Sequence, residues 1–305
     1  MAVLLAACGN GGGGSAEVSG GSDIPVPPVS SGATGPIPPA VLGVAQLPLS
    51  VYSGTNAQND ILDRAVELLT QTCMRGKGFD YKVVDPASGA QKTLVKGDYG
   101  ITDKAQAAVN GYRDPHVVSV DSSGKVHTPP GVTAETGPAE SPDYMIALEG
   151  SATGPLSDGQ GRIKRAGCRN EALFTIHDYD NTRARADLDL PGRLADEANQ
   201  RAARHPEVTA AVNAWSSCMK GKGYRYSTPQ EPMNTKWPDK PSAEEIATAL
   251  ADISCKEQTG LVTTWVNTIV AYQRELIDRS AATLAELKKI TDEQVKRAED
   301  VLAGR

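Results

Sequence analysis

The chain has 305 residues, enough for one large domain or two small ones. Lys and Arg number 31 against 37 Asp and Glu, a net charge of −6, and no basic block interrupts the acidic balance, so nucleic acid and anionic lipid are poor partners. Hydrophobic residues make up 39%, with only 2 Phe and 3 Trp, and no run of 18 apolar residues occurs. The core is therefore expected to be small and aromatic-poor, and no stretch is long enough to cross a bilayer as a helix.

The chain opens Met1-Ala2-Val3-Leu4-Leu5-Ala6-Ala7-Cys8-Gly9. Leu5-Ala6-Ala7-Cys8 resembles a bacterial lipobox, in which small residues fit the signal peptidase cleft and the cysteine carries a diacylglycerol thioether. Each buried CH₂ of such acyl chains contributes about 0.8 kcal/mol to membrane anchoring. Only seven residues precede Cys8 and none is Lys or Arg. A secretory signal needs a charged start and roughly 7–15 apolar residues, so the expectation is either a true start upstream or a fragment. The competing reading is a chance Leu-Ala-Ala-Cys in an alanine-rich chain.

Residues 9–50 carry four consecutive glycines, Gly11 to Gly14, and the prolines Pro25, Pro27, Pro28, Pro36, Pro38, Pro39 and Pro48. Glycine loses the most entropy on ordering and proline lacks a backbone donor, so the expectation is a disordered tether. The organisation expected along the chain is a signal remnant with its lipidation site over 1–8 and the tether over 9–50. A first helical unit with a loop insertion follows over 51–205, and a second with a long C-terminal helix over 206–305.

Beyond Cys8 the cysteines are Cys73, Cys168, Cys218 and Cys255. An even number in an exported chain favours disulfides. The intervals of 95, 50 and 37 residues lack the tight ligand pair of a tetrahedral metal site, so no metal is expected. Residues 73–81 read Cys-Met-Arg-Gly-Lys-Gly-Phe-Asp-Tyr, and 218–226 read Cys-Met-Lys-Gly-Lys-Gly-Tyr-Arg-Tyr. Each echo closes an amphipathic stretch: Ile61, Leu62, Ala65, Val66 and Leu69 before Cys73, then Val208, Ala211, Val212 and Trp215 before Cys218. Pro206 suits a first helical position, and Gly76 and Gly221 are expected to supply left-handed caps. Equivalent residues of a duplicated unit should have equivalent partners. Cys168 and Cys255 each precede a basic residue, so the pairing expected is Cys73–Cys168 and Cys218–Cys255. The alternative joins Cys73 to Cys218 and leaves Cys168 with Cys255.

Thr102 and Asn110-Gly111 bound a short helix. Residues 82–98 and 116–160 read as loops, with Val117 to Val120 a strand lacking an obvious partner. Leu194 to Arg204 reads as a modest helix. Ser242 and Glu245 form a capping box, and Ile246, Leu250 and Ile253 mark the face that follows. From Leu261 to Leu302 neither Gly nor Pro occurs, and these 42 residues predict a helix of about 60 Å, with Gly260 as a break before it. The fold class expected is all-α: a disulfide-stapled helical domain with long irregular loops.

Chemical motifs are sparse. Gly-Lys-Gly follows a helix in both echoes and lacks the hydroxyl of a phosphate loop, so helix capping is the better reading. His116, His127, His177 and His205 form no ligand pair and read as surface residues. Asp178-Tyr179-Asp180-Asn181 lacks the glycine and glutamate of a calcium loop. Neither catalytic residues nor a cofactor are expected. Tyr224, Tyr226 and Trp237 gather in the loop between Cys218 and Cys255. They are candidate ligand-facing aromatics, or else a lid over the core.

Several motifs together resemble a known group: Trp215-x₂-Cys218-Met219, Ala251-Asp252-x₂-Cys255-Lys256, Leu261-Val262-x₂-Trp265 and Ala271-Tyr272-Gln273, with Tyr99-Gly100-Ile101-Thr102 and Gly111-Tyr112. The chain is similar over residues 57–303 to secreted lipoproteins of actinobacteria, streptomycetes among them, a group to which no activity is assigned. The resemblance implies an extracytoplasmic helical protein at the outer face of the cell membrane. The function expected is binding or scaffolding through an envelope protein or cell-wall component, with a ligand-binding sensor or a cell-wall enzyme as alternatives.

Overall fold

The computed structural model describes residues 24–37, 47–52, 54–83, 99–113, 119–120, 126–127, 141–159, 162–238 and 240–305. The expectations for Cys8, for 9–23 and for most of the loop insertion lie outside these residues. The described part is all-α. Its helices are α1 (Asn56–Gly76), α2 (Lys104–Asn110), α3 (Pro142–Glu149), α4 (Gly167–His177), α5 (Tyr179–Arg185), α6 (Leu190–Ala203), α7 (Pro206–Gly221), α8 (Gln230–Asn234), α9 (Ala243–Thr259), α10 (Leu261–Arg279) and α11 (Ala281–Leu302). A 3₁₀ turn covers Pro48–Tyr52. The strand expected near Val120 has a partner after all: Ser119–Val120 pairs antiparallel with Val126–His127. The region expected to be loop over 116–160 also contains α3, started by Ser141 accepting from the Tyr144 amide and ended by Gly150.

The cysteines pair as Cys73–Cys168, joining α1 to α4, and Cys218–Cys255, joining α7 to α9. Closing loops of 95 and 37 residues stabilises the fold by roughly 4–5 kcal/mol each in the chain-entropy account. Cys168 lies in the first turn of α4, whereas Cys255 lies in the second half of α9. The two echoes fold identically. Lys77 and Lys222 are C-caps with φ of −94° in both cases, and Phe79 and Tyr224 donate their amides to Met74 and Met219 at 3.0 and 2.9 Å. Gly78 and Gly223 then take φ of 84° and 92°. This is the Schellman arrangement, and it corrects the expectation for Gly76 and Gly221, which are the last helical residues. The side chain two positions before each first cysteine, Gln71 or Ser216, donates to the carbonyl of Tyr81 or Tyr226.

The expected 42-residue helix is two helices that part at Ser280. Ser280 stands in the stripe of Tyr272, Leu276, Leu284 and Leu287 where an apolar anchor would have to sit, and serine favours a helix terminus over a helix interior. The break lets the two segments serve different neighbours. Helix α10 packs on α6 and α7, and α11 turns back onto α1 and α4, so the C-terminal helix lies with the first disulfide pair. The main core gathers Leu194, Val208, Trp215, Met219, Trp265, Ile269, Tyr272 and Leu284. Helix α6 begins four residues before the expected Leu194 because Pro191 fits its first turn. Asp103, not Thr102, caps α2 through the amides of Ala105 and Gln106.

The expected tether is in part docked. Residues 24–37 cross the surface without helix or strand, Ile24 is buried, and Leu49 in the 3₁₀ turn donates its amide to Gln273. Composition predicts mobility there because it does not register where single apolar residues and free amides find partners.

Candidate functional site

Helix α9 buries Glu245, Thr248, Ala249, Asp252, Ile253, Cys255 and Lys256 on one face. Three of these are charged, which is unusual for residues with no exposure. The bridge sets what Asp252 meets. Trp215 lies three residues before Cys218 and Asp252 three before Cys255, so clamping the two sulfurs brings the two side chains level one turn back. The indole N–H of Trp215 donates to Asp252 Oδ1 at 2.9 Å. Lys256, one turn on, donates from Nζ to Asp252 Oδ2 at 2.9 Å and to the carbonyl of Ile101 at 2.9 Å.

The segment around α2 closes the arrangement. Tyr112 donates its hydroxyl to Asp252 Oδ2 at 3.3 Å and its amide to Glu245 Oε1 at 3.2 Å. Arg113 pairs with Glu245 Oε2 at 3.5 Å and reaches the Pro238 carbonyl. The Glu245 carboxylate is thereby drawn away from its own helix end. Ser242 still caps α9 by accepting from the Glu245 amide, but the reciprocal half of the expected capping box is not made. Trp237 stacks on Tyr112 with ring centroids 5.9 Å apart and donates to the Pro232 carbonyl.

Burial pushes the Asp252 carboxyl up, while the Lys256 charge and the donors from Trp215 and Tyr112 pull the other way. Burial pushes the Lys256 ammonium down, opposed by Asp252. Burial also drives the Tyr112 hydroxyl far upward, and the Asp252 charge adds to it, so Tyr112 stays a donor. Neither side chain of the Asp252–Lys256 pair is exposed, and both Asp252 oxygens are occupied. Such a pair gains little net energy over an apolar filling but strongly penalises loss of one partner. Its effect is to tie three elements together, since α9, α7 and residues 99–113 each supply a partner to Asp252 or Lys256.

The first bridge carries a looser counterpart. Arg169 follows Cys168 as Lys256 follows Cys255. Its Nη1 lies 2.5 Å from Glu149 Oε1 and its Nη2 donates to the Tyr81 hydroxyl at 3.1 Å. Tyr81 donates in turn to Glu67. Here the Arg169 side chain is 38% exposed, against 0% for that of Lys256, so the first corner is wetter.

The three aromatics singled out in the sequence are all partly buried. Tyr224 and Tyr226 are half-buried against the main core, and Trp237 packs with Tyr112, Ala249 and Ile253. His205, expected at the surface, is buried as the N-cap of α7. Asp178 takes φ of 51° at the α4–α5 junction, and the Asp180 side chain beside it stays exposed. Among the described residues no group of three or more His, Cys, Asp or Glu side chains could hold a metal, and no helix is long and apolar enough to cross a membrane. From the sequence Glu245 has only a capping role, and Asp252, Lys256 and Tyr112 figure only within motifs, without being joined as a site. The available signal was the i, i+4 spacing of an acid and a base on the same face as Cys255.

The fold and this site define an all-α protein whose helices are pinned by two disulfides and keyed by a buried ion pair. Comparisons with protein-family models, with curated proteins and with solved structures find no match to the chain.

Proposed function

We propose that the chain is an extracytoplasmic protein, held at the outer face of the cell membrane by a lipid on Cys8, that binds or scaffolds at the envelope. The observation that carries this reading is the pair of disulfides, each with one sulfur in the core at Cys168 or Cys255. Bridges of this kind form and persist in oxidising compartments, and Leu5-Ala6-Ala7-Cys8 supplies an address that leads to one. The Asp252–Lys256 pair favours a structural role over catalysis because its polar atoms are spent on one another and on the backbone. The test is to produce the chain behind a complete lipoprotein signal in a bacterial host and feed a fatty-acid analogue. Labelling and membrane partition are expected, and both should disappear in Cys8→Ser. Label retained by Cys8→Ser would overturn the anchor.

A further inference from the structure

Residues 24–37 lie across three helix ends, the places where backbone groups lack partners. At the start of α7, His205 Nδ1 accepts from the Glu207 amide at 3.2 Å. That fixes the neutral tautomer with the proton on Nε2, which donates to the Pro27 carbonyl at 3.1 Å. At the end of α9, the Glu257 carbonyl accepts from the Gly35 amide at 2.8 Å. At the start of α10, Thr264 Oγ1 accepts from the Gly32 amide at 2.7 Å. Ile24 and Pro27 are both buried, and a three-residue interval is that of polyproline II. The fit at Gly32 is backbone against backbone: a Cβ there would stand 2.4 Å from the Thr264 nitrogen and 2.8 Å from the Gly260 carbonyl oxygen.

We infer that the surface formed by the starts of α7 and α10 and the end of α9 is a recognition groove for an extended proline- and glycine-containing peptide. The chain's own residues 24–37 fill it as a built-in ligand. The ligand class follows from the contacts. It needs an apolar residue three before a proline whose carbonyl meets His205, and a glycine five after that proline, followed by a free amide three residues on. The Pro27 carbonyl and the Gly32 and Gly35 amides each meet a separate helix end, and the close backbone fit at Gly32 excludes any side chain there, so the groove selects an extended shape with a glycine at that position. Proline and glycine suit it because proline lowers the cost of holding an extended chain and glycine permits the contact with α10. Because the segment belongs to the same chain, it competes with a free peptide as an intramolecular ligand. A free peptide of modest affinity is therefore excluded until the segment leaves.

The test uses the full chain and a labelled synthetic peptide of residues 24–37, titrated to about millimolar. In the Gly32→Val chain the Cβ branch collides with α10 backbone, the segment undocks and the groove empties. Its helical circular dichroism should match that of the native chain, and its Gly35 amide should exchange faster. The Gly32→Val chain should then bind the native peptide at least tenfold more tightly than the native chain does, and neither chain should bind a peptide carrying the same substitution. Equal binding of native peptide to both chains, no binding to the Gly32→Val chain, or unchanged Gly35 exchange would overturn the inference.

Discussion

Asp252 accepts from three side chains that reach it from α7, from α9 itself and from the segment after α2. Removing it leaves the Lys256 ammonium buried without its counter-charge. Asp252→Ala should therefore destabilise the protein by about 3–5 kcal/mol, read as a fall in the denaturant midpoint at unchanged slope. Adding Lys256→Met removes the stranded charge and fills the space with apolar atoms, so the double variant should recover most of the loss. A double variant as unstable as the sum of two independent losses would show that the pair is not a unit. The residue was hard to find from sequence for a physical reason. Periodicity counts apolar positions, and Asp252 and Lys256 occupy core positions while being charged. Their partner Tyr112 stands 140 residues from Asp252, so no local pattern announces it. The Schellman corners were legible because they are local: six residues fix their own hydrogen bonds. Only the left-handed position was misplaced, two residues early.

At the level of elements, the corner where α4 and α5 meet α11 is held by polar contacts. Arg185 on α5 pairs with Glu286 at 2.6 Å and with Glu293 at 2.5 Å, both on α11. The Arg185 guanidinium holds both carboxyls below the usual carboxylate value of 4.5. A depressed folded value means that the stabilisation is present above 4.5 and is lost as pH falls through the lower folded value. His177, beside the same corner, has its imidazole pushed down from 6.5 by burial, with the Arg297 charge adding to the effect. Its protonation therefore favours the unfolded chain, and stability also falls as pH drops below 6.5. Both effects make acid loosen this corner. Arg185→Gln should lower the thermal midpoint at pH 7, and the difference from the native protein should shrink as pH falls below about 4.5. A difference that stays constant down to pH 3 would mean that the two glutamates add nothing through Arg185. The helix break at Ser280 belongs to the same scale. Ser280 supplies a local cue for the break, and the packing of the two segments against different neighbours completes it, which the lack of Gly and Pro from 261 to 302 does not register.

Over the whole molecule, the same corner is built twice: a helix ending in Cys-Met-x-Gly-Lys-Gly, and a bridge to a second helix whose cysteine precedes a buried or half-buried cation. The echo of nine residues made the all-α class and the pairing readable, because each repeat constrains the reading of the other. The docking of residues 24–37 was not readable, since it depends on three helix ends that come together only on folding. It changes the expected reach of the anchor. With a lipid on Cys8, sixteen residues separate the bilayer from the first docked side chain at Ile24, a span of at most about 55 Å when fully extended. A tether running to residue 50 would reach more than twice as far. Under the proposed anchor at Cys8, the docked body would stay within that shorter distance of the membrane.

The most direct test of the account is peptide mapping, without reduction, of the protein isolated from the envelope of its own host. The account predicts one peptide pair joining Cys73 to Cys168, one joining Cys218 to Cys255, no free thiol, and an N-terminal peptide that begins at an acylated Cys8. An unmodified Cys8 inside a longer peptide, or free thiols at the other four cysteines, would contradict it.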